Sequence, residues 1–209
     1  LTPQSIVVPG DPSSAAFWAV AASIVPGSDV VIANVGMNPT RTGLFEMLRM
    51  MGADIVKIDP RTIGGEPVAD LRVRHAALSA IEVPPEFAPS MIDEYPILFV
   101  AAALAQGRTV ARGARELRVK ESDRIATMAE ALRAIGVRVE EFDDGLAVHG
   151  SGGDPLPGGA CVASTLDHRI AMSMAVAGLV CIKALSIDDV APIATSYPTF
   201  LATLDALRD

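Results

Sequence analysis

Leu48-Arg49-Met50-Met51-Gly52 and Leu132-Arg133-Ala134-Ile135-Gly136 are one phrase written twice: the end of a helix, closed by a glycine. The pair makes this chain a repeat, and the repeat decides the fold. Outward from the first copy, Ser5 to Val8 reads as a strand stopped by Pro9-Gly10. Asp11-Pro12-Ser13-Ser14 then caps an almost wholly apolar helix, Ala15 to Val25, of the kind that is buried on most sides. Strand Asp29 to Asn34 and the turn Asn38-Pro39-Thr40-Arg41-Thr42-Gly43 lead into helix Leu44 to Met51. Strands Asp54 to Ile58 and Ala69 to Val73 follow around Gly64-Gly65.

The order β-α-β-α-β-β starts again around the second copy. Strand Ile81 to Val83 leads through Ser90–Pro96 to the apolar helix Ile97 to Ala105, and strand Thr109 to Arg112 follows. A charged stretch opens the helix that Gly136 closes, and strands Arg138 to Glu141 and Leu146 to His149 flank Asp143-Asp144-Gly145. A third round has strand Ala160 to Ser164, helix Ile170 to Val180, strand Ala184 to Ile187 and helix Thr199 to Leu207, without the last two strands. A period of roughly 75 to 85 residues is too long for a solenoid. Internal units of about 1–76, 77–151 and 152–209 instead imply a mixed α/β, pseudo-threefold lobe. Its apolar helices lie inside and its sheets outside. The starts of the inner helices, Asp11 to Ser14, Asp93 to Pro96 and Asp167 to Arg169, should converge on one anion-attracting face.

Composition narrows the partners. Half of the 209 residues are hydrophobic but only 4% are aromatic, so the core is built from Ala, Val, Ile, Leu and Met. A formal charge of −8 leaves no basic surplus for nucleic acid, although a local basic cluster can still attract a small anion. Cys161 and Cys181 stand apart from any metal-ligand spacing and read as reduced core thiols of a cytoplasmic protein. His75, His149 and His168 are not at metal-ligand spacing either. No run reaches the roughly 18 apolar residues of a membrane span. The chain begins on a strand-like segment with no basic-then-apolar leader, as a piece of a longer protein would.

Arg115-Glu116-Leu117-Arg118-Val119-Lys120-Glu121-Ser122-Asp123-Arg124 is the densest charged stretch. Ser122 can cap the helix whose apolar face is Ile125, Met128, Leu132 and Ile135. That places Lys120 and Glu121 just before a helix N-terminus and Arg124 in its first turn. The stretch can be a solvated charge run, but a cation there opposes the helix dipole, so Arg124 calls for an anion. Adjacent Lys120 and Glu121 suit proton transfer. Asp93 can be a helix cap or a catalytic carboxylate, and its position leaves both open. Asp167-His168-Arg169 taken alone is more often an internal hydrogen-bonded cluster, and Arg41 can equally be a surface or a bracing residue.

Taken together, these segments resemble the 5-enolpyruvylshikimate-3-phosphate synthase family. The matching residues are Pro9–Ser14, Asn38–Gly43, Ser90-Met91-Ile92-Asp93-Glu94-Tyr95-Pro96, Leu117–Arg124, Asp167-His168-Arg169-Ile170-Ala171-Met172 and Ala194-Thr195-Ser196-Tyr197-Pro198. The wording is similar to the bacterial class II branch, some of whose members tolerate glyphosate, and covers essentially the whole chain. The resemblance implies an inside-out α/β barrel type of lobe. It also implies carboxyvinyl transfer from phosphoenolpyruvate to the 5-hydroxyl of shikimate 3-phosphate, in the shikimate pathway of aromatic amino-acid biosynthesis. Asp93 matches the base on that hydroxyl and a contact to the shikimate ring. Lys120 matches a substrate contact that shares in proton transfer, and Glu121 the proton donor to the methylene carbon. Arg124 and Arg169 match the clamps on phosphoenolpyruvate, and His168 an orienter behind them. No metal or organic cofactor is implied, and the full-length enzyme is expected to be monomeric and cytoplasmic, with no membrane partner.

Two departures stand out. Some relatives carry a lysine where this chain has Thr195. Nothing matches the family's first lobe, with its Lys-Ser start and its Ser-Ala-Gln or Ser-Ser-Gln segment, so the chain reads as the second lobe, inactive without the first. Competing readings are a non-catalytic binding lobe or half-enzyme needing a partner chain. A UDP-N-acetylglucosamine enolpyruvyltransferase is a further one, but it should lack Val119-Lys120-Glu121-Ser122-Asp123-Arg124.

Overall fold

In the computed structural model, which describes residues 7–207, three apolar helices pack on one another at the centre. The first round has α1 (Pro12–Ile24), β1 (Asp29–Gly36), α2 (Gly43–Met50) and the hairpin β2 (Asp54–Ile63) to β3 (Glu66–Arg74). The second has β4 (Glu82–Val83), a short lead-in α3 (Ala88–Met91), α4 (Tyr95–Leu104), β5 (Arg108–Ala111), α5 (Arg124–Ala134) and the hairpin β6 (Arg138–Phe142) to β7 (Gly145–His149). The third has β8 (Leu156–Gly158), β9 (Cys161–Val162), α6 (His168–Gly178), β10 (Cys181–Lys183), β11 (Ser186–Ile187), α7 (Ile193–Ser196) and α8 (Phe200–Ala206).

Helices α1, α4 and α6 form the inner layer, and every residue of α4 is buried. Alanines at 101, 102 and 103 let its neighbours approach closely, and none of the three is exposed at all. Helices this apolar carry no polar face to keep in water, so the sheets must cover them. One sheet has the order β1-β3-β2, wholly antiparallel, and the other β4-β5-β7-β6, with β4 parallel to β5. The third round has only the parallel pairs β8 with β10 and β9 with β11. The mixed α/β lobe with helices inside and sheets outside is therefore present.

Several boundaries differ from the sequence reading. The first hairpin is longer than expected and runs to Ile63 paired with Glu66, through irregularities near Asp59. Helix α4 starts at Tyr95, two residues early, because the fixed φ of Pro96 suits a first helical turn. Strand Ala160 to Ser164 is present but shorter, as β9, and an unexpected strand β8 precedes it, the two divided by Gly158 and Gly159 at positive φ. Of the strand expected at Ser5 to Val8, Ser5 and Ile6 lie outside the described residues, and Val7 and Val8 are exposed without strand pairing. A lone bridge from Gly10 to Val35 stands beside β1 instead. The two cysteines are not core thiols: Cys161 is exposed and Cys181 half-buried. The helical stretch Pro85–Leu104 is long and apolar enough to cross a membrane, but 72% of it is buried inside the fold, as a core helix would be.

Helix α4 ends against the loop after β7. The N–H groups of Ser151 and Gly152 donate to Ala103 O and Ala105 O, satisfying carbonyls at the helix end. That approach leaves no room at Gly150, where a Cβ would sit 1.9 Å from Ala105 O and 2.6 Å from Ala102 O. Gly150→Ala is expected to destabilise the protein by about 1–3 kcal/mol, as overpacking does. A urea midpoint unchanged from that of the parent would contradict this.

Candidate active site

The first turns of α1, α4 and α6 meet at one end of the inner layer, where arginine side chains link them. Arg169, in the first turn of α6, donates from Nη1 to the main-chain oxygen of Asp93 at 3.2 Å and to Glu94 Oε1 at 3.3 Å. Its Nη2 lies 3.6 Å from Asp93 Oδ2. Arg41 reaches α1, donating to Asp11 Oδ1 and Ser13 Oγ, so it braces this end.

Helix α5 brings the second set of charges. Arg124, only 1% exposed, donates from Nε to Asp167 Oδ2 at 2.8 Å, from Nη1 to Asp93 Oδ1 at 3.0 Å and from Nη2 to Glu121 Oε2. Lys120 Nζ is 3.5 Å from Asp93 Oδ1 and 2.6 Å from Glu116 Oε1. Asp93, Lys120, Glu121, Arg124 and Arg169 are thus gathered at one place, with Asp93 at the junction of the three cations. His168 opens α6, half-buried, and its ring makes no hydrogen bond among the described residues.

Three local expectations are corrected. Asp123, not Ser122, caps α5 by accepting from Ala126 N at 3.0 Å, because it stands one residue nearer the helix. Ser122 Oγ donates to Asp167 Oδ2 instead. Asp93 caps nothing, because the backbone is already helical through Ile92–Glu94 when it enters α4. The anion that Arg124 requires is supplied by the chain's own Asp167, Glu121 and Asp93. The helix starts are occupied in the same way. Asp11 accepts from Ser13 N and Ser14 N, and Asp167 from Arg169 N. This end is a charge-compensated cluster in which each buried cation already has a carboxylate partner.

The titration of the cluster follows from its packing. Burial pushes the Asp93 carboxyl up, but Arg169, Lys120 and Arg124 outweigh it and hold the group below its ordinary range. Asp167 follows the same pattern, with Arg124 outweighing burial. Burial also works against the Arg124 charge, and Asp167, Glu121 and Asp93 more than restore it. Hydrogen bonding to Glu116 is the main cause that raises Lys120. Glu94 moves the other way: burial raises it, and the nearby Ser13 hydroxyl and Arg169 offset this only in part. For His168, burial and then Arg169 lower the pKa, which favours the neutral ring.

Sequence reasoning passed over Glu94 and the pairing of Glu116 with Lys120; the i,i+4 spacing of the latter was the available signal. Tyr197 is structural, accepting a hydrogen bond from Trp18 Nε1 at 2.9 Å. Thr195 is exposed, and its hydroxyl donates to Pro192 O rather than to the cluster.

Comparison with known proteins bears on this arrangement. Residues 1–204 match the family model described as EPSP synthase (3-phosphoshikimate 1-carboxyvinyltransferase). A protein of Sphingopyxis alaskensis named 3-phosphoshikimate 1-carboxyvinyltransferase is 66% identical over 208 residues, covering 100% of this chain and 47% of that protein. One of the same name from Novosphingobium aromaticivorans is 59% identical, covering 99% and 47% respectively. The 2.37 Å structure of EPSP synthase from Acinetobacter baumannii superimposes with a TM-score of 0.94 at 46% identity, over 96% of this chain and 46% of that one. The chain spans about half the length of the curated relatives it matches.

Proposed function

This chain belongs to the EPSP synthase (3-phosphoshikimate 1-carboxyvinyltransferase) family, and we propose that it forms the second of two lobes of such an enzyme. The reaction joins shikimate 3-phosphate to phosphoenolpyruvate. The 5-hydroxyl attacks the enol carbon while a proton enters the methylene carbon. The tetrahedral intermediate then loses inorganic phosphate and a methyl proton, regenerating the enol double bond on the new ether.

The observation that carries this reading is the single carboxylate of Asp93 facing Lys120, Arg124 and Arg169. Asp93 accepts the hydroxyl proton, and it is ionised for that task because its cations hold its pKa down. Glu121, exposed at the edge of the cluster, donates to the methylene carbon, with Lys120 sharing in the transfer. Arg169 and Arg124 hold phosphoenolpyruvate, whose carboxylate and phosphate suit guanidinium forks. For Arg124 this requires that the substrate anion replace Glu121 on Nη2, which would also free Glu121 for proton transfer. The acid-rich cluster has few spare cations for a second phosphate, and this supports a first lobe that binds the shikimate phosphate. We assign residues 1–76, 77–151 and 152–209 as the three units, the last completed by chain outside them, and place the enzyme in the cytoplasm as a monomer.

Phosphate release from shikimate 3-phosphate plus phosphoenolpyruvate tests the assignment. Release is expected from a protein carrying both lobes and none from residues 1–209 alone. Release by residues 1–209 alone would overturn the two-lobe reading, and none from the two-lobe protein would overturn the activity.

A further inference from the structure

We propose that Glu94 is a positioning residue for this reaction, fixing the Arg169 guanidinium from its buried side and thereby setting the affinity for phosphoenolpyruvate. The inference rests on the reading of Arg169 as a phosphoenolpyruvate ligand. Glu94 is 5% exposed, at the junction of the lead-in turn and α4, yet it makes no capping bond to that helix. A buried carboxylate without a capping role is costly, and space alone would be filled better by an apolar side chain. Its ion-pair partner is Arg169, whose Nη1 lies 3.3 Å from Glu94 Oε1.

The geometry assigns the two guanidinium nitrogens different tasks. Nη1 donates to Glu94 Oε1 and to the main-chain oxygen of Asp93, so consecutive residues of one turn hold it. A guanidinium is planar and rigid, so fixing Nη1 fixes where Nη2 points. Nη2 is left towards Asp93 Oδ2, on the more exposed side of the cluster, at a separation longer than a hydrogen bond. Nη2 is therefore the nitrogen available to an incoming anion. At the start of α1 the Ser13 hydroxyl, which accepts from Arg41, works against the burial that raises Glu94. Without Glu94, Arg169 keeps its charge but loses its fixed direction.

The test uses the two-lobe protein with Glu94→Ala and Glu94→Gln, read by steady-state kinetics and a urea midpoint. Outer partners of metal ligands are worth about 10- to 100-fold, and by the same positioning logic Glu94→Ala is expected to raise the phosphoenolpyruvate KM by about tenfold. The shikimate 3-phosphate KM and kcat should move far less, the pattern of lost uniform binding. Glu94→Gln keeps the acceptor oxygen and the shape, so it should recover most of the affinity. A merely structural carboxylate would shift the urea midpoint and leave KM alone. An unchanged phosphoenolpyruvate KM in Glu94→Ala overturns the proposal, and if Glu94→Ala does not fold, Glu94→Met, which fills the buried volume without an acceptor oxygen, takes its place with the same expected rise and the same overturning result. Failure of the parent protein to turn over would strike the activity assignment and is visible before any variant is made.

Discussion

Asp167→Ala is expected to lower the unfolding free energy by about 3–5 kcal/mol, the cost of leaving a buried charge without its partner. Asp167 has no exposed surface, and Arg124, its partner at 2.8 Å, is 1% exposed. The same carboxylate caps α6 through Arg169 N and accepts from Ser122 Oγ. Both side chains are almost fully buried, so solvation softens the loss less than it would at a surface pair. Asp167→Asn should cost less, since the amide oxygen keeps the cap while the charge is lost. The pH dependence carries a sign. Burial alone would raise the Asp167 pKa, but Arg124 holds it below its ordinary 3.8. The folded chain therefore keeps this carboxylate ionised where the unfolded chain would protonate it. Its stabilisation is present above about pH 4 and is lost as pH falls through the folded pKa. Urea unfolding from pH 7 to pH 3 should show the parent losing stability at the acid end more steeply than Asp167→Asn. Parallel curves, or an Asp167→Ala loss under about 1 kcal/mol, would mean that Glu121 and Asp93, which already bond Arg124, compensate its charge without Asp167.

The same pair marks how far the sequence could be read. The repeat was legible because Leu48–Gly52 and Leu132–Gly136 end equivalent helices, and because Ile97–Ala105 is too apolar to lie anywhere but inside. The convergence of the three helix starts followed from that topology. What periodicity could not reach was the state of the charges once they met. Arg124 calls for an anion on local grounds, but whether the anion is a ligand or Asp167, 43 positions away, depends on packing that no local pattern encodes. Asp93 was ambiguous for a related reason. The cap reading assumes a helix that begins there, and the chain in fact enters α4 already coiled. Glu94 drew no notice because a glutamate next to a helix is ordinary in sequence and unusual only once seen to be buried. In the third round β9 and β11 are shorter than the strands expected there, and β8 and β10 escape the sequence pattern, because Gly158 and Gly159 break the pairing into short parallel pieces with weak alternation.

Asp93→Asn is expected to reduce kcat of the two-lobe enzyme by about 10²- to 10⁴-fold, the usual contribution of a general base. The variant is nearly isosteric and keeps an acceptor for Arg124 Nη1, so the fold should hold. Its effect on binding has the opposite direction. Asp93 neutralises Lys120, Arg124 and Arg169 together, so removing its charge leaves three cations less compensated. Phosphoenolpyruvate should then bind at least as tightly, and its KM should stay level or fall while kcat collapses. That combination separates a base from a binding residue, since loss of a ligand contact would raise KM with kcat less affected. It also separates Asp93 from Glu121. Glu121 touches only Arg124 among these cations, so Glu121→Gln relieves one guanidinium rather than three and should change the phosphoenolpyruvate KM less. The pH profile gives an independent reading. With the Asp93 pKa held below its ordinary value in the free protein, no acid limb of kcat/KM between pH 5 and 8 can belong to it, and Asp93→Asn should leave any limb found there in place. A raised phosphoenolpyruvate KM with kcat preserved would remove Asp93 from the proton transfer and make it a scaffold for the three cations.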